Sequence, residues 1–200
     1  MLVIGLTGPT GAGKGCIADL FAAFGLPVLN ADQIYHALLI PPSPCLDELT
    51  DHFGKDILTE AGTLNRQTLG AIVFSNPEEL TALNTITHHY VMAEIRKRLD
   101  QLRREEVIAA VIDAPQLFEA GADRDCNVIV SVLAAPALRL DRIMRRDSID
   151  ADTALKRITS QKSDAFFRAH SDYIIENNES PESLLEPVRR ILLEMGVLGA

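Results

Sequence analysis

The stretch "GPTGAGKG", Gly8 to Gly15, places four glycines and one lysine in eight positions. Such a turn can point several backbone N–H groups at one anion, because glycine accepts the positive φ angles and close backbone approach that the cradle needs. The spacing fits GxxxxGK, with Lys14 where an ammonium reaches the β and γ phosphates of a nucleotide. Gly11, Ala12, Gly13, Lys14, Gly15 and Cys16 are therefore the expected nucleotide contacts, and Lys14 is also a catalytic cation. The next position departs from the pattern. A serine or threonine hydroxyl there normally ligates Mg²⁺, and Gly15 has none. Cys16 is a poor substitute, since Mg²⁺ is hard and prefers oxygen. The expectation is weaker metal affinity with nucleotide binding retained.

Carboxylates follow at two strand ends. Asp32 comes just after the apolar run "PVLN" and is suited to accepting or orienting a hydroxyl proton, or to capping the helix "DQIYHALL". Asp113 closes "VIAAVID", where it could hold a magnesium-bound water or cap the turn before Pro115. Glu119 is expected to be a solvated or structural partner. In "RLDRIMRRD", Arg142 and Arg146 lie four apart and share a helical face, whereas Arg139 and Arg145 point elsewhere and are expected in solvent. The alternative for each of these arginines is a surface pair with Asp141 or Asp147.

The elements that must position these groups are short apolar runs rich in valine and isoleucine: 2–7, 27–30, 107–113, 127–133 and 172–177. Their near-continuous apolarity is that of strands covered on both faces. Helical segments between them predict an α/β fold with a doubly wound, five-stranded parallel sheet. The long interval between the second and third runs exceeds one crossover and predicts an inserted helical subdomain. It includes helices over 65–74 and from Pro77 to about Glu106. "IPPSP", Ile40 to Pro44, reads as a break within it.

With 47% hydrophobic residues, the 200-residue chain can form one compact domain carrying an insertion. A net charge of −9 argues against nucleic acid or anionic membrane as partners, so positive charge must be concentrated locally if a phosphorylated ligand binds. The three cysteines show neither a disulfide framework nor metal-ligand spacing. No signal peptide or membrane-spanning run is evident, which makes the cytoplasm the expected compartment. There is no NKxD guanine box.

Ordered blocks along the chain carry a resemblance: "LTGPTGAGKG", "GLPVLNAD", "HFGKDIL", "GTLNRQTLGAIVF", "LNTITHHYV", "VIDAPQLFEAG", "RLDRIMRRD" and "SDYIIENN". Together they resemble the dephospho-coenzyme A kinase family over nearly the whole chain. The resemblance implies a P-loop kinase that transfers the γ-phosphoryl group of ATP, with Mg²⁺, to the ribose 3′-hydroxyl of dephospho-coenzyme A. It implies a nucleotide core over about 1–38, 107–135 and 171–200, a helical acceptor-binding insertion over about 39–106, and a lid over about 136–170. Asp32 matches the family's base. Arg142 becomes a catalytic lid cation, and Arg146 a further phosphate contact. Arg66 and His88 fall in the acceptor-binding helices, with Asp32 as a third acceptor contact. Asn177 or Asn178 falls near adenine. The chain departs from the family at Asn65, where an aspartate is common, at His89, where a proline is common, and in a lid less basic after Gln161. A monomer or weak homo-oligomer is expected. A weakly active or non-catalytic nucleotide-binding module, and another small-molecule P-loop kinase, are the alternatives.

Overall fold

The structure, a computed structural model, describes residues 1–199. The first apolar run forms β1 (Leu2–Thr7) and passes through the glycine loop into α1 (Lys14–Ala23). Next come β2 (Val28–Asn30) and α2 (Ala31–Leu38). Three helices follow, α3 (Pro44–Phe53), α4 (Arg66–Ser75) and the long α5 (Pro77–Arg104). The chain returns through β3 (Ala109–Asp113) and β4 (Val128–Leu133). It ends with α6 (Pro136–Asp147), α7 (Ala151–Thr159), the short α8 (Asp164–Ala169), β5 (Tyr173–Glu176) and α9 (Leu185–Glu194).

The five strands form one sheet in the order β2-β3-β1-β4-β5. Parallel ladders join β1 to β3, with Leu6 opposite Asp113, and β1 to β4, with Thr7 opposite Ser131. A third joins β4 to β5. The chain winds to one side of β1 through β2 and β3 and to the other through β4 and β5. The carboxyl end of β1 is thus the switch point where open α/β sheets bind ligands.

Apolarity on both faces of the strands has a direct cause. Ile4, Leu6, Val111, Val130, Val132 and Ile175 alternate onto one face and pack with Ile17 and Phe21 of α1 and Val188 and Leu192 of α9. Each fully buried side chain of this kind contributes about 1.5–3 kcal/mol. On the other face, a Cβ at Gly5 would lie 2.8 Å from Cys126 Sγ and 3.0 Å from the Leu117 side chain, so glycine there lets that layer approach the sheet closely. Burial in this layer pushes the Cys126 thiol up to about 12.

The chain divides into two compact units, residues 1–29 with 102–200, and residues 30–101. The second has its own core of Leu39, Cys45, Leu49, Ile57, Leu69 and Val73. Ser43, at the end of the "IPPSP" break, caps α3 by accepting from Leu46 N at 3.3 Å. Among the described residues, no helix is long and apolar enough to cross a membrane.

Candidate functional site

The glycine loop leaves β1 at its carboxyl end, and its shape depends on positive φ. Gly11 and Gly13 sit at φ 77 and 87. Gly13 is the N-cap of α1, so Lys14 and Gly15 occupy the first helical turn, where N–H groups lack an intrahelical acceptor. Those amides and the positive end of the helix dipole make an anion site. Ala12 N–H closes the turn onto Pro9 O at 3.1 Å, and Cys16 N–H returns to Gly13 O at 3.1 Å.

Lys14 Nζ donates to Asp113 Oδ1 in an ion pair. The register of β3 against β1 sets this up by bringing Asp113 level with Leu6, at the mouth of the loop. Asp113 is 2% exposed and Lys14 is 15% exposed, so this carboxylate and ammonium meet in a nearly dry setting at the phosphate cradle. Beside it, the Pro115 carbonyl accepts from Thr7 Oγ1 at 3.3 Å.

Asn177 and Arg142 support the loop on its carbonyl side. Asn177 is buried and donates through Nδ2 to Ala12 O at 2.8 Å. Arg142 Nη2 donates to Asn177 O at 3.1 Å, and its Nη1 makes longer bonds to Gly11 O at 3.4 Å and Ala12 O at 3.5 Å. Asn178 is spent elsewhere, accepting from Ala135 N at 2.7 Å. Arg146, one turn beyond Arg142, gives both prongs of its guanidinium to Asp147, at 2.8 and 2.9 Å, in the surface pairing that was its alternative reading. Arg145 pairs with Asp141 at 3.0 Å on the exposed surface.

Arg139 corrects an expectation. Instead of facing solvent it is 4% exposed, donates from Nε to Thr10 O at 3.0 Å, and pairs with Asp164 at 3.0 Å. Burial pulls the guanidinium below its usual value, and Asp164 opposes that shift. Helical spacing gave one signal for this placement: Arg139 is four residues before Ile143, which is wholly buried. Gln161 is a second missed partner, accepting from Thr10 N at 2.8 Å. No local pattern could have announced that contact.

Within the 148–170 segment, Arg157 pairs with Asp147, Lys162 lies 4.3 Å over the Phe166 ring and 3.7 Å from Glu119, and Arg168 pairs with Glu176. His170 stacks on Phe166 with ring centroids 4.0 Å apart.

In the second unit, Asp32 lies exposed in the first turn of α2. The cap of that helix is Asn30, whose Oδ1 accepts from Gln33 N at 2.9 Å, so Asp32 is not used as the cap. Arg66 is the first residue of α4, capped by Asn65, which accepts from Gln67 N and Thr68 N at 3.2 and 3.1 Å. The positive charge of Arg66 acts on Tyr35, lowering a phenol pKa that burial raises by a larger amount. Asn65 thus meets the capping need that an aspartate would meet. His88 is half-buried within α5.

With this geometry in place, the relationship to known proteins is specific. The family model described as dephospho-CoA kinase matches residues 2–182. The chain belongs to the dephospho-CoA kinase family. A dephospho-CoA kinase from Syntrophotalea carbinolica is 37% identical over 195 residues, covering 98% of this chain and 92% of the relative. One from Corynebacterium efficiens is 36% identical over 195 residues, covering 98% of each. Among solved structures, dephospho-CoA kinase from Campylobacter jejuni superposes with a TM-score of 0.72 at 26% identity, covering 96% of both chains. Shikimate kinase from Acinetobacter baumannii shares the fold, with a TM-score of 0.56 at 17% identity, covering 97% of this chain and 94% of that one. Membership in this kinase family accords with the β1–loop–α1 arrangement, in which position 15 is a glycine.

Proposed function

We propose that this chain transfers the γ-phosphoryl group of ATP to the ribose 3′-hydroxyl of dephospho-coenzyme A, releasing coenzyme A and ADP as the last step of coenzyme A synthesis. The observation that carries this reading is the glycine loop at the switch point, with Lys14 beside Asp113, in a chain matched to the kinase family over residues 2–182.

In the reaction the bond between the γ-phosphorus and the β–γ bridging oxygen breaks, and a bond from the acceptor oxygen forms. The hydroxyl proton leaves to a base, and we assign that role to Asp32. The first-turn amides and Lys14 hold the phosphates and face the charge that shifts onto the bridging oxygen. Arg142 and Asn177 belong to the nucleotide side of the reaction, Arg66 and His88 to the acceptor side. Arg146, held on Asp147, would need to exchange that partner to touch a phosphate.

Mg²⁺ fits the residues present, through oxygen donors only. Asp113 supplies a carboxylate at the loop, and a Cβ at Gly15 would meet nothing within 4 Å, which leaves room for water where a hydroxyl would otherwise stand. When bound, the ion neutralises charge on the phosphate oxygens. Free thiols at Cys16, Cys45 and Cys126 suit a reducing compartment, and we place the protein in the cytoplasm.

The test is ADP release from ATP at saturating Mg²⁺ with and without dephospho-coenzyme A. Acceptor-dependent release is expected. Turnover that ignores the acceptor, or nucleotide binding with no product, would overturn the reading.

A further inference from the structure

Both backbone polar groups of Thr10 are held by side chains from far along the chain. Its N–H donates to Gln161 Oε1 at 2.8 Å, and its C=O accepts from Arg139 Nε at 3.0 Å. Arg139 is in turn paired at 3.0 Å with Asp164, the first residue of α8. Gln161 and Asp164 are three residues apart, so the short connection between α7 and α8 engages the loop by two routes. There is little slack at the contact: a Cβ at Gly11 would sit 2.7 Å from Arg139 O, which means α6 lies directly on the loop.

We propose that Gln161 and the Arg139–Asp164 pair are positioning residues, a latch tying the shape of the phosphate loop to the seating of the 148–170 segment. The physical reason is the cost of opening it. If the α7–α8 connection lifts away, Thr10 N–H loses its acceptor, and the buried Arg139 guanidinium loses its carboxylate, an uncompensated charge that proteins tolerate poorly. The loop geometry that receives phosphate is thus the one that holds the segment down. Linkage then runs both ways: nucleotide on the loop stabilises the seated segment, and the seated segment tightens nucleotide binding. Thr10 N–H is committed to the latch, and phosphate binding falls to the amides that follow it. The proposal rests on reading the loop as the nucleotide site.

The experiment compares the unsubstituted chain with Gln161→Met, which keeps length and removes the acceptor, and Gln161→Glu, which keeps an acceptor oxygen. Gln161 is exposed, so neither change threatens the core. ADP affinity is measured by calorimetry, and amide hydrogen exchange over residues 151–169 is followed with and without ADP. Gln161→Met is expected to weaken ADP binding by about 3–10-fold, the loss of one hydrogen bond, and to abolish the protection that ADP confers on the segment. Gln161→Glu is expected to keep that protection. The latch is overturned if Gln161→Met binds ADP and protects the segment as the unsubstituted chain does, or if Gln161→Glu loses both as fully as Gln161→Met. No ADP binding by the unsubstituted chain would instead sink the nucleotide reading itself.

Discussion

Replacing Gly13 by alanine tests whether the loop is as tightly constrained as its contacts imply. The substitution meets two independent penalties. At φ 87 an alanine enters the left-handed region, which costs a residue with a Cβ about 1–2 kcal/mol. The new Cβ would also lie 2.1 Å from Asn177 Nδ2, a distance no packing adjustment of tenths of an ångström absorbs. Asn177 must move, and its buried donor then loses Ala12 O, which costs about 1–3 kcal/mol. The expected total is roughly 2–5 kcal/mol of stability, a fall in Tm of about 4–20 °C at this chain length. Thermal unfolding of Gly13→Ala, Asn177→Ala and the double variant separates the penalties. Removing the amide relieves the clash but not the φ strain, so the double variant should be more stable than the sum of the single effects by at least about 1 kcal/mol. A cost below about 1 kcal/mol for Gly13→Ala, or strict additivity in the double variant, would refute the claim that Asn177 fixes the loop.

Three further outcomes concern Gly15, Asp32 and Cys45. Gly15→Ser adds a hydroxyl in open space and replaces a helical glycine, so it should leave stability unchanged or raise it by up to about 1 kcal/mol, and tighten apparent Mg²⁺ binding in turnover assays. Gly15→Ala controls for the backbone effect and should not tighten Mg²⁺. Asp32→Asn should lower kcat by about 10²–10⁴-fold while ADP affinity by calorimetry stays within about twofold, because it removes a base and not a phosphate contact. The second unit should lose stability at high pH. Burial raises the Cys45 thiol from 9.0 to about 11 in the folded chain, so its contribution is full below pH 9 and is lost as pH rises towards 11. That loss is about 2–3 kcal/mol, and urea unfolding of the unsubstituted chain and of Cys45→Ala at pH 8 and 10.5 should show a smaller pH effect in the variant.

The sheet was legible because its strands are covered on both faces and so read as unbroken apolar runs. Each of the five appears within two residues of its expected bounds. The helices over 66–75 and 77–104 were legible from their periodicity. The loop was legible from glycine spacing, since positive φ and close approach leave a chemical trace in the letters. Arg139 was not, because i, i+4 spacing groups Arg142 with Arg146 and leaves Arg139 outside that pair. What buries Arg139 is a carboxylate at position 164 and a carbonyl at position 10, tertiary partners that helical spacing cannot reveal. The hydrogen bond from the Asn177 side-chain amide to the loop carbonyl of Ala12 was not legible, because it exists only once β5 lies beside β4 in the sheet. Arg146 shows the opposite limit: its neighbour Asp147 was visible, and the pair forms locally.

The account stands on the loop amides and the ammonium of Lys14 holding the phosphates of ATP. Calorimetric titration of ATP into the unsubstituted chain and into Lys14→Ala tests it most directly, with unfolding curves recorded for both to show that the variant is folded. Loss of one charge-assisted contact predicts ATP binding about 10–150-fold weaker in the variant. Equal ATP affinity in the two folded proteins would contradict it.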